Sequence, residues 1–212
     1  MICVSVTEKE IAKIISVAHS AEMAEIRIDL CGLDEQSVTD VFSQISVPTI
    51  ATCRPEFCDD EKRAKLLKTA ILSGATYVDV EIESQENFKK EIMNFAHEKG
   101  SKCIVSYHNY EETPTKQTLQ EIIDCCFSQG ADIAKIATMA RSKRDTSRVL
   151  SLYETNDNIV ALAMGEEGKI SRVACLYLGS PFSFAAIDET HASANGQLTV
   201  AQMKEIVRNI KK

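Results

Sequence analysis

Two residues in this sequence stand where their side chains could make and break bonds to carbon. Lys135 lies in the middle of Asp132-Ile133-Ala134-Lys135-Ile136-Ala137-Thr138, a short apolar run that reads as a buried strand. An ammonium taken out of water without a partner is costly, and becoming neutral relieves the cost. A neutral, desolvated lysine is a nucleophile that can condense with a ketone or aldehyde to give a Schiff base. His108 ends a second apolar run, Ser101-Lys102-Cys103-Ile104-Val105-Ser106-Tyr107-His108, and is suited to carrying protons. Together they suggest covalent catalysis with Lys135 as imine former and His108 as proton carrier. The plainer reading of Lys135 is a strand lysine ion-paired inside the fold, and that residue alone does not choose between them.

The elements that must position this pair alternate from end to end. Ile2 to Val6 reads as a first strand, and Thr7 with Glu10 makes a capping-box pattern ahead of Ile11, Ile14, Ile15 and Ala18. Met23 to Leu30, Pro48 to Cys53 and Tyr77 to Val80 read as the next strands, separated by stretches with helical periodicity. Gly74, Gly100 and Gly130 each close a helix shortly before a new strand, as a left-handed helix exit requires. A weaker helix around Arg148 to Tyr153 leads to a seventh strand over residues 158–164. Lys169 to Leu178 is a seventh helix, Phe182 to Ile187 an eighth strand, and Thr199 with Gln202 opens a last helix. Eight βα units without a linker predict an α/β chain folded as a single (β/α)8 TIM barrel over residues 1–212. A doubly wound open sheet is the alternative, but no Gly-x-Gly-x-x-Gly or Walker pattern follows any strand.

Strands covered by helices on one side and packed lumen on the other should be nearly all apolar. The second strand breaks this with Glu25, Arg27 and Asp29, whose alternation puts them on one face, and the fourth does so with Asp79 and Glu81. A plug of ion pairs would explain them, yet buried ion pairs rarely add net stability. Active sites of this fold lie at the C-terminal strand ends, where the chain also places Arg54, His108, Met164 and, beyond a Gly165–Gly168 loop, Arg172. The guanidinium groups of Arg27, Arg54 and Arg172 suit a small molecule rich in carboxylate or hydroxyl oxygens. Asp79 and Glu81 are expected to orient His108 or to balance the charge of an iminium.

The totals narrow the partners. A net charge of -7 argues against a nucleic-acid or anionic-membrane surface. The first strand begins at Ile2, leaving no room for a signal peptide, and the charge-free run from Val173 to Ile187 is too short to span a bilayer. A cytoplasmic location is expected. Eight cysteines with no Cys-x-x-Cys pair read as scattered reduced thiols rather than a zinc site or disulfide framework.

The motifs Glu25-Ile26-Arg27-Ile28-Asp29, Thr52-Cys53-Arg54, Val105-Ser106-Tyr107-His108 and Lys135-Ile136-Ala137 occur in order along the chain. They continue with Met164, Ile170-Ser171-Arg172, Gly179-Ser180, Phe184 and Ser193-Ala194-Asn195-Gly196-Gln197. With these, the whole chain resembles type I 3-dehydroquinate dehydratase, the Schiff-base enzyme of the shikimate pathway to aromatic amino acids. The resemblance implies that Lys135 attacks the C3 ketone of 3-dehydroquinate. His108 would then remove a C2 proton and protonate the departing C1 hydroxyl, giving 3-dehydroshikimate. It implies further that Arg172 holds the substrate carboxylate, and that Glu25, Arg27 and Arg54 hold ring hydroxyls. Ser193 and Gln197 would lie on a closing loop, with Met164 and Phe184 in support. No metal and no organic cofactor is implied, because the iminium is itself the electron sink. Family members are commonly homodimers. The chain departs from the family at Asn195, where proline is usual, at Leu162, where methionine is frequent, and at Pro55-Glu56-Phe57-Cys58, which replaces an acidic-glycine turn. A class I Schiff-base aldolase and a non-catalytic metabolite-binding barrel are the rival readings. The first lacks its Gly-rich phosphate cup, and the second would be favoured by loss of Lys135 or His108, both of which are present.

Overall fold

Strands and helices alternate as the periodicity predicts. The computed structural model describes residues 1–56, 58–191 and 194–210. The strands are β1 (Ile2–Val6), β2 (Met23–Arg27), β3 (Thr49–Thr52), β4 (Tyr77–Glu81), β5 (Lys102–Asn109), β6 (Ile133–Met139), β7 (Ile159–Met164) and β8 (Ser183–Ala186). The helices are α1 (Ile11–His19), α2 (Ile28–Cys31), α3 (Glu35–Gln44), α4 (Asp60–Leu72), α5 (Glu86–Lys99), α6 (Lys116–Ser128), α7 (Lys143–Leu150), α8 (Ser171–Tyr177) and α9 (Val200–Ile210). Every ladder is parallel, in the order β7-β6-β5-β4-β3-β2-β1-β8, and β1 pairs with both β2 and β8. The sheet therefore curls into a nearly closed (β/α)8 barrel. At the seam between β7 and β8, the Ser180 hydroxyl reaches the carbonyls of Ile159 (3.3 Å) and Phe182 (2.7 Å).

The two-residue period of the strands sorts the side chains into a mantle and a lumen. Val4, Ile26, Ala51, Val78, Val80, Val105, Ile136 and Ala161 face outward and pack under the helices. The inward residues climb the lumen in steps of two. At the bottom Met23, Ile50, Ile104, Ile133, Val160 and Phe182 form an apolar plug, against which Tyr77 packs. One step up stand Ser5, Glu25, Thr52, Asp79, Ser106 and Lys135, all buried. The next step brings Arg27, Arg54, Glu81, His108, Ala137 and Met164 to the mouth. The charged residues that looked out of place in the sequence thus lie on two adjacent tiers, above a greasy floor.

Helix starts largely follow their polar signals. Asp34 caps α3 by accepting from the Ser37 N–H (2.9 Å), and Asp59 caps α4 through the Lys62 N–H (2.8 Å). The capping box expected for α9 forms: the Thr199 N–H donates to Gln202 (2.9 Å) and the Gln202 N–H to the Thr199 hydroxyl (3.2 Å). The one expected at Thr7 does not. The helix begins at Ile11, so Glu10 occupies the cap without a side-chain bond and pairs instead with Lys13 at 3.3 Å. Gly100, at φ +83°, gives α5 its left-handed exit. At the lower rim Asp132 joins two elements, accepting from the Cys103 N–H (2.7 Å) and meeting His97 Nε2 at 2.8 Å.

Three boundaries lie two or more residues from where the sequence puts them. β2 ends at Arg27, and Ile28–Cys31 form one helical turn, so Asp29 does not share the alternating face of Glu25 and Arg27. The turn instead swings the Asp29 carboxylate back onto the Arg27 guanidinium, at 3.1 Å and 2.6 Å. The helix expected at Arg148 starts earlier, at Lys143, and gives way to a 3-10 turn over Ser151–Glu154. The helix expected from Lys169 begins at Ser171, after a 3-10 turn over Glu166–Gly168. Among the described residues no helix is long and apolar enough to cross a membrane.

Phe182 is fully buried at the base of the lumen, edge-on to Tyr77 (6.0 Å between centroids) and Phe184 (5.6 Å). Phe182→Ala is expected to cost about 3–5 kcal/mol, read as a lowered denaturation midpoint with unchanged slope, because the rigid barrel cannot collapse into the void.

Candidate active site

A cavity of about 700 Å³ opens over the upper tiers and is lined by side chains from every strand end. It gathers nearly all the residues singled out in the sequence: Lys135, His108, Glu25, Arg27, Arg54, Glu81, Met164, Phe184, Arg172 and Gln197. Asp79 lies just below the surface, fully buried. Ser193 falls outside the described residues. Lys135 points into the lumen because its strand partners are fixed: it is in register with Ser106 on β5, and His108 with Ala137 on β6. One inward step therefore separates the imidazole from the level of the amine, on the neighbouring strand.

Lys135 is only 6% exposed, but its surroundings are not the aliphatic shell that the sequence suggests. Its Nζ donates to Asp79 at 2.9 Å, lies 3.6 Å from Glu25, and sits 4.3 Å above the centre of the Phe184 ring. The plainer reading of the sequence, an ion-paired strand lysine, thus describes these contacts. The pairing does not exclude chemistry, since an amine at the bottom of an open cavity remains reachable by a ligand.

The acids form a graded network around it. Glu25 accepts from the hydroxyls of Ser5 (2.8 Å) and Thr52 (3.0 Å). Asp79 accepts from Ser106 (2.6 Å) and from Arg54 Nη1 (3.0 Å) as well as from Lys135. Glu81 takes Arg54 Nη1 on one oxygen (2.6 Å) and Arg63 Nη2 on the other (2.8 Å). Burial would push the Asp79 carboxyl up, but Arg54, Lys135 and His108 overcome it and hold the group far below the ordinary carboxylate range. Glu25 is likewise lowered despite its burial, chiefly by Lys135 and Arg27. Arg54 is raised, the burial penalty being outweighed by Asp79, Glu81 and Glu25.

Neither Asp79 nor Glu81 orients His108 through a hydrogen bond, contrary to one of the two roles expected for them. Their oxygens are taken by Arg54, Lys135, Ser106 and Arg63. The imidazole is stacked against Tyr110, 6.1 Å between centroids and 12° between planes. Burial first, then the positive charges of Arg54 and Lys135, push the His108 pKa well below its ordinary 6.5, so the ring is a neutral base near pH 7.

Arg172 stands apart. It is 2% exposed, and among the described residues no carboxylate pairs with it. It donates to two backbone carbonyls, Gly196 (3.0 Å) and Asn195 (3.4 Å), and burial pulls its pKa down to about 10. The segment carrying Gln197 is thereby held against the cavity, helped by a bond from the Gly165 N–H to the Asn195 carbonyl at 3.1 Å. Gly196, at φ +70°, could carry no side chain, because a Cβ would come within 2.2 Å of the Gly165 carbonyl oxygen.

Several site residues escaped the sequence reading. Ser5, Thr52 and Ser106 lie on the inward parity of their strands, and Tyr110 lies one inward step beyond His108, so the alternation could have found them. Arg63 had no such signal. It sits in the run Asp60-Glu61-Lys62-Arg63, which resembles a solvated helix face, yet it is 1% exposed and stacks 4.4 Å over Phe88.

Known proteins are similar to this chain along its whole length. A 3-dehydroquinate dehydratase of Methanocaldococcus jannaschii is 38% identical over 221 aligned positions, covering 98% of both chains. A crystal structure of type I 3-dehydroquinate dehydratase from Clostridium difficile, with covalently modified comenic acid, superposes with a TM-score of 0.87 at 26% identity, over 99% of this chain and 91% of that one. The 3-dehydroquinate dehydratase of Aquifex aeolicus does so with a TM-score of 0.83 at 26% identity, over 100% and 99%. The family model described as type I 3-dehydroquinase matches residues 2–212, and the chain belongs to that family.

Proposed function

We propose that Lys135 and His108 carry out the reaction of this chain, a type I 3-dehydroquinate dehydratase that removes water from 3-dehydroquinate through a lysine Schiff base. The observation that carries the assignment is a lysine Nζ at the floor of the cavity, one strand away from a half-buried imidazole kept in its neutral form. The attacking amine must be unprotonated, and His108 in its neutral form can accept the surplus proton. Addition to the C3 carbonyl and loss of water then give an iminium. Its positive nitrogen draws electrons from the adjacent C2–H bond, His108 takes that proton, and the same imidazole returns it to the departing C1 hydroxyl. Hydrolysis of the conjugated iminium frees Lys135 and 3-dehydroshikimate.

Asp79 and Glu25 flank the nitrogen where positive charge persists after the imine forms; Asp79, below the lining, stabilises the iminium without touching the ring, while Glu25, which lines the cavity, can also hold a ring hydroxyl. Arg54 and Arg27 each present a guanidinium edge already anchored on a carboxylate, which leaves their remaining N–H groups fixed for substrate oxygens. Arg172, buried and among the described residues paired with no carboxylate, receives the substrate carboxylate and couples its arrival to the 194–197 segment through the Gly196 and Asn195 carbonyls. Gln197 and Ser193 would complete that closure, with Met164 and Phe184 as apolar walls. We read residues 1–212 as one catalytic barrel that acts in the cytoplasm and pairs as a homodimer.

Borohydride in the presence of 3-dehydroquinate should add the mass of the reduced adduct to the peptide containing Lys135. Lys135→Ala should stay folded, take up no mass, and lose at least about 10⁴-fold in turnover; labelling of any other lysine would remove the assignment. His108→Ala should still be trapped by borohydride while dehydration nearly stops. For wild type the acid limb of kcat/KM should lie below pH 6.5, since the depressed His108 pKa keeps the base form populated there; an acid limb above 6.5 would contradict it. Arg172→Ala should raise KM by about two orders of magnitude, as about 3 kcal/mol is typical for a buried carboxylate left unpaired, with a smaller loss in kcat.

A further inference from the structure

The loop between β3 and α4 carries Arg54, Pro55 and Glu56, all of which line the cavity. Its two stems each bear a cysteine. Cys53 follows the last residue of β3, and Cys58 immediately precedes Asp59, the cap of α4. Their sulfurs are 3.7 Å apart. From that juxtaposition we infer that Cys53 and Cys58 form a reversible intrachain disulfide that staples the stem of this loop and weakens substrate binding.

The geometry favours the bond. A disulfide places the sulfurs about 2.05 Å apart, so closure needs an approach of about 1.7 Å. Both cysteines adjoin regular structure, so the sulfurs meet without a search through many loop conformations. They also differ in access. Cys58 is half-buried, whereas Cys53 is 1% exposed. Cys58 is therefore the sulfur that an oxidant meets first. With a small-molecule disulfide such as oxidised glutathione, the Cys58 thiolate attacks one sulfur, forming a mixed disulfide and releasing one glutathione thiolate. Cys53 then gives up its proton, attacks the Cys58 sulfur and displaces the second glutathione thiolate. Two electrons pass from the cysteine pair to the oxidant, and two reduced glutathiones leave. Burial pushes the Cys53 thiol up, so the reduced pair is not held open by a stabilised thiolate.

The consequence for the site follows from what the stems hold. The Cys53 carbonyl accepts from Arg63 Nε (3.0 Å), and the same guanidinium holds Glu81, which holds Arg54. Drawing the start of α4 toward β3 moves Arg63 against Glu81 and shifts Arg54 and the Pro55–Glu56 rim. In a reducing cytosol the pair stays open, and an oxidising shift closes it. Cys53 and Cys58 flank the cavity-lining residues Arg54–Glu56 in the chain, whereas Cys125 is exposed on α6 and the remaining cysteines are buried in the core.

The test equilibrates the full chain in graded mixtures of reduced and oxidised glutathione, quenches with N-ethylmaleimide, and maps the peptides while assaying dehydration. A 53–58 linkage is expected, with kcat/KM falling by about fivefold, carried mainly by KM, and restored by dithiothreitol. Cys58→Ser and Cys58→Ala should keep the reduced wild-type rate and lose the redox response, while Cys125→Ser should keep both. A glutathione adduct that stops on Cys58, a linkage elsewhere, or a 53–58 linkage with unchanged kinetics would each overturn the inference. The kinetic arm rests on the dehydratase reading, but the peptide map does not. Failure of borohydride trapping at Lys135 is therefore a separate outcome from failure of the staple.

Discussion

Asp79 is the group on which the upper half of this barrel depends. A carboxylate with no exposure to water survives there only because Lys135, Arg54 and Ser106 all donate to it. Lys135 also lies against Glu25, and Arg54 is tied to Glu81 and through it to Arg63, so one buried charge is linked to side chains from β2, the loop after β3, β4, β5, β6 and α4. The network answers Glu25, Asp29, Asp79 and Glu81 with Lys135, Arg27, Arg54 and Arg63. Arg172 lies outside that network, donating to the Gly196 and Asn195 carbonyls, and among the described residues no carboxylate pairs with it.

Such a network is a poor way to hold a protein together. Desolvating charges tends to cancel what their pairing returns, and a fully apolar lumen of the same volume would be at least as stable. Stability comes from the tiers below and outside, where Met23, Ile50, Ile104, Ile133, Val160 and Phe182 close the floor and the outward residues pack under the helices. The rigid floor lets the charged tiers stay organised before any substrate arrives, which is what electrostatic catalysis requires. The lumen thus divides its work by height, with apolar packing at the bottom and preorganised charge at the mouth.

Part of this was legible in the chain because a strand's period is two. Residues i, i+2 and i+4 must share a face, so Glu25 with Arg27, Asp79 with Glu81, and Ser106 with His108 could be placed on the lumen without coordinates. The alternation of strand and helix signals carried the barrel itself, and the short motifs carried the family. Where the alternation stopped, reading stopped with it. Nothing local announces the helical turn at Ile28–Cys31 that takes Asp29 off the strand face, and Arg63 is hidden inside a run of charges.

The sequence by itself determined the fold class, the inward side of each strand and the residue types available for imine chemistry, because those follow from local periodicity and composition. Tertiary structure alone decided which charges meet. Lys135 and Asp79 are 56 residues apart, Arg63 and Glu81 come from a helix and a strand, and Arg172 reaches a segment beyond β8. Pairing across such separations depends on barrel closure and register, and the energy of a buried charge depends on every neighbour at once. No local window of residues contains that information, which is why the sequence could name Lys135, Glu25 and Asp79 but not that they meet at one nitrogen.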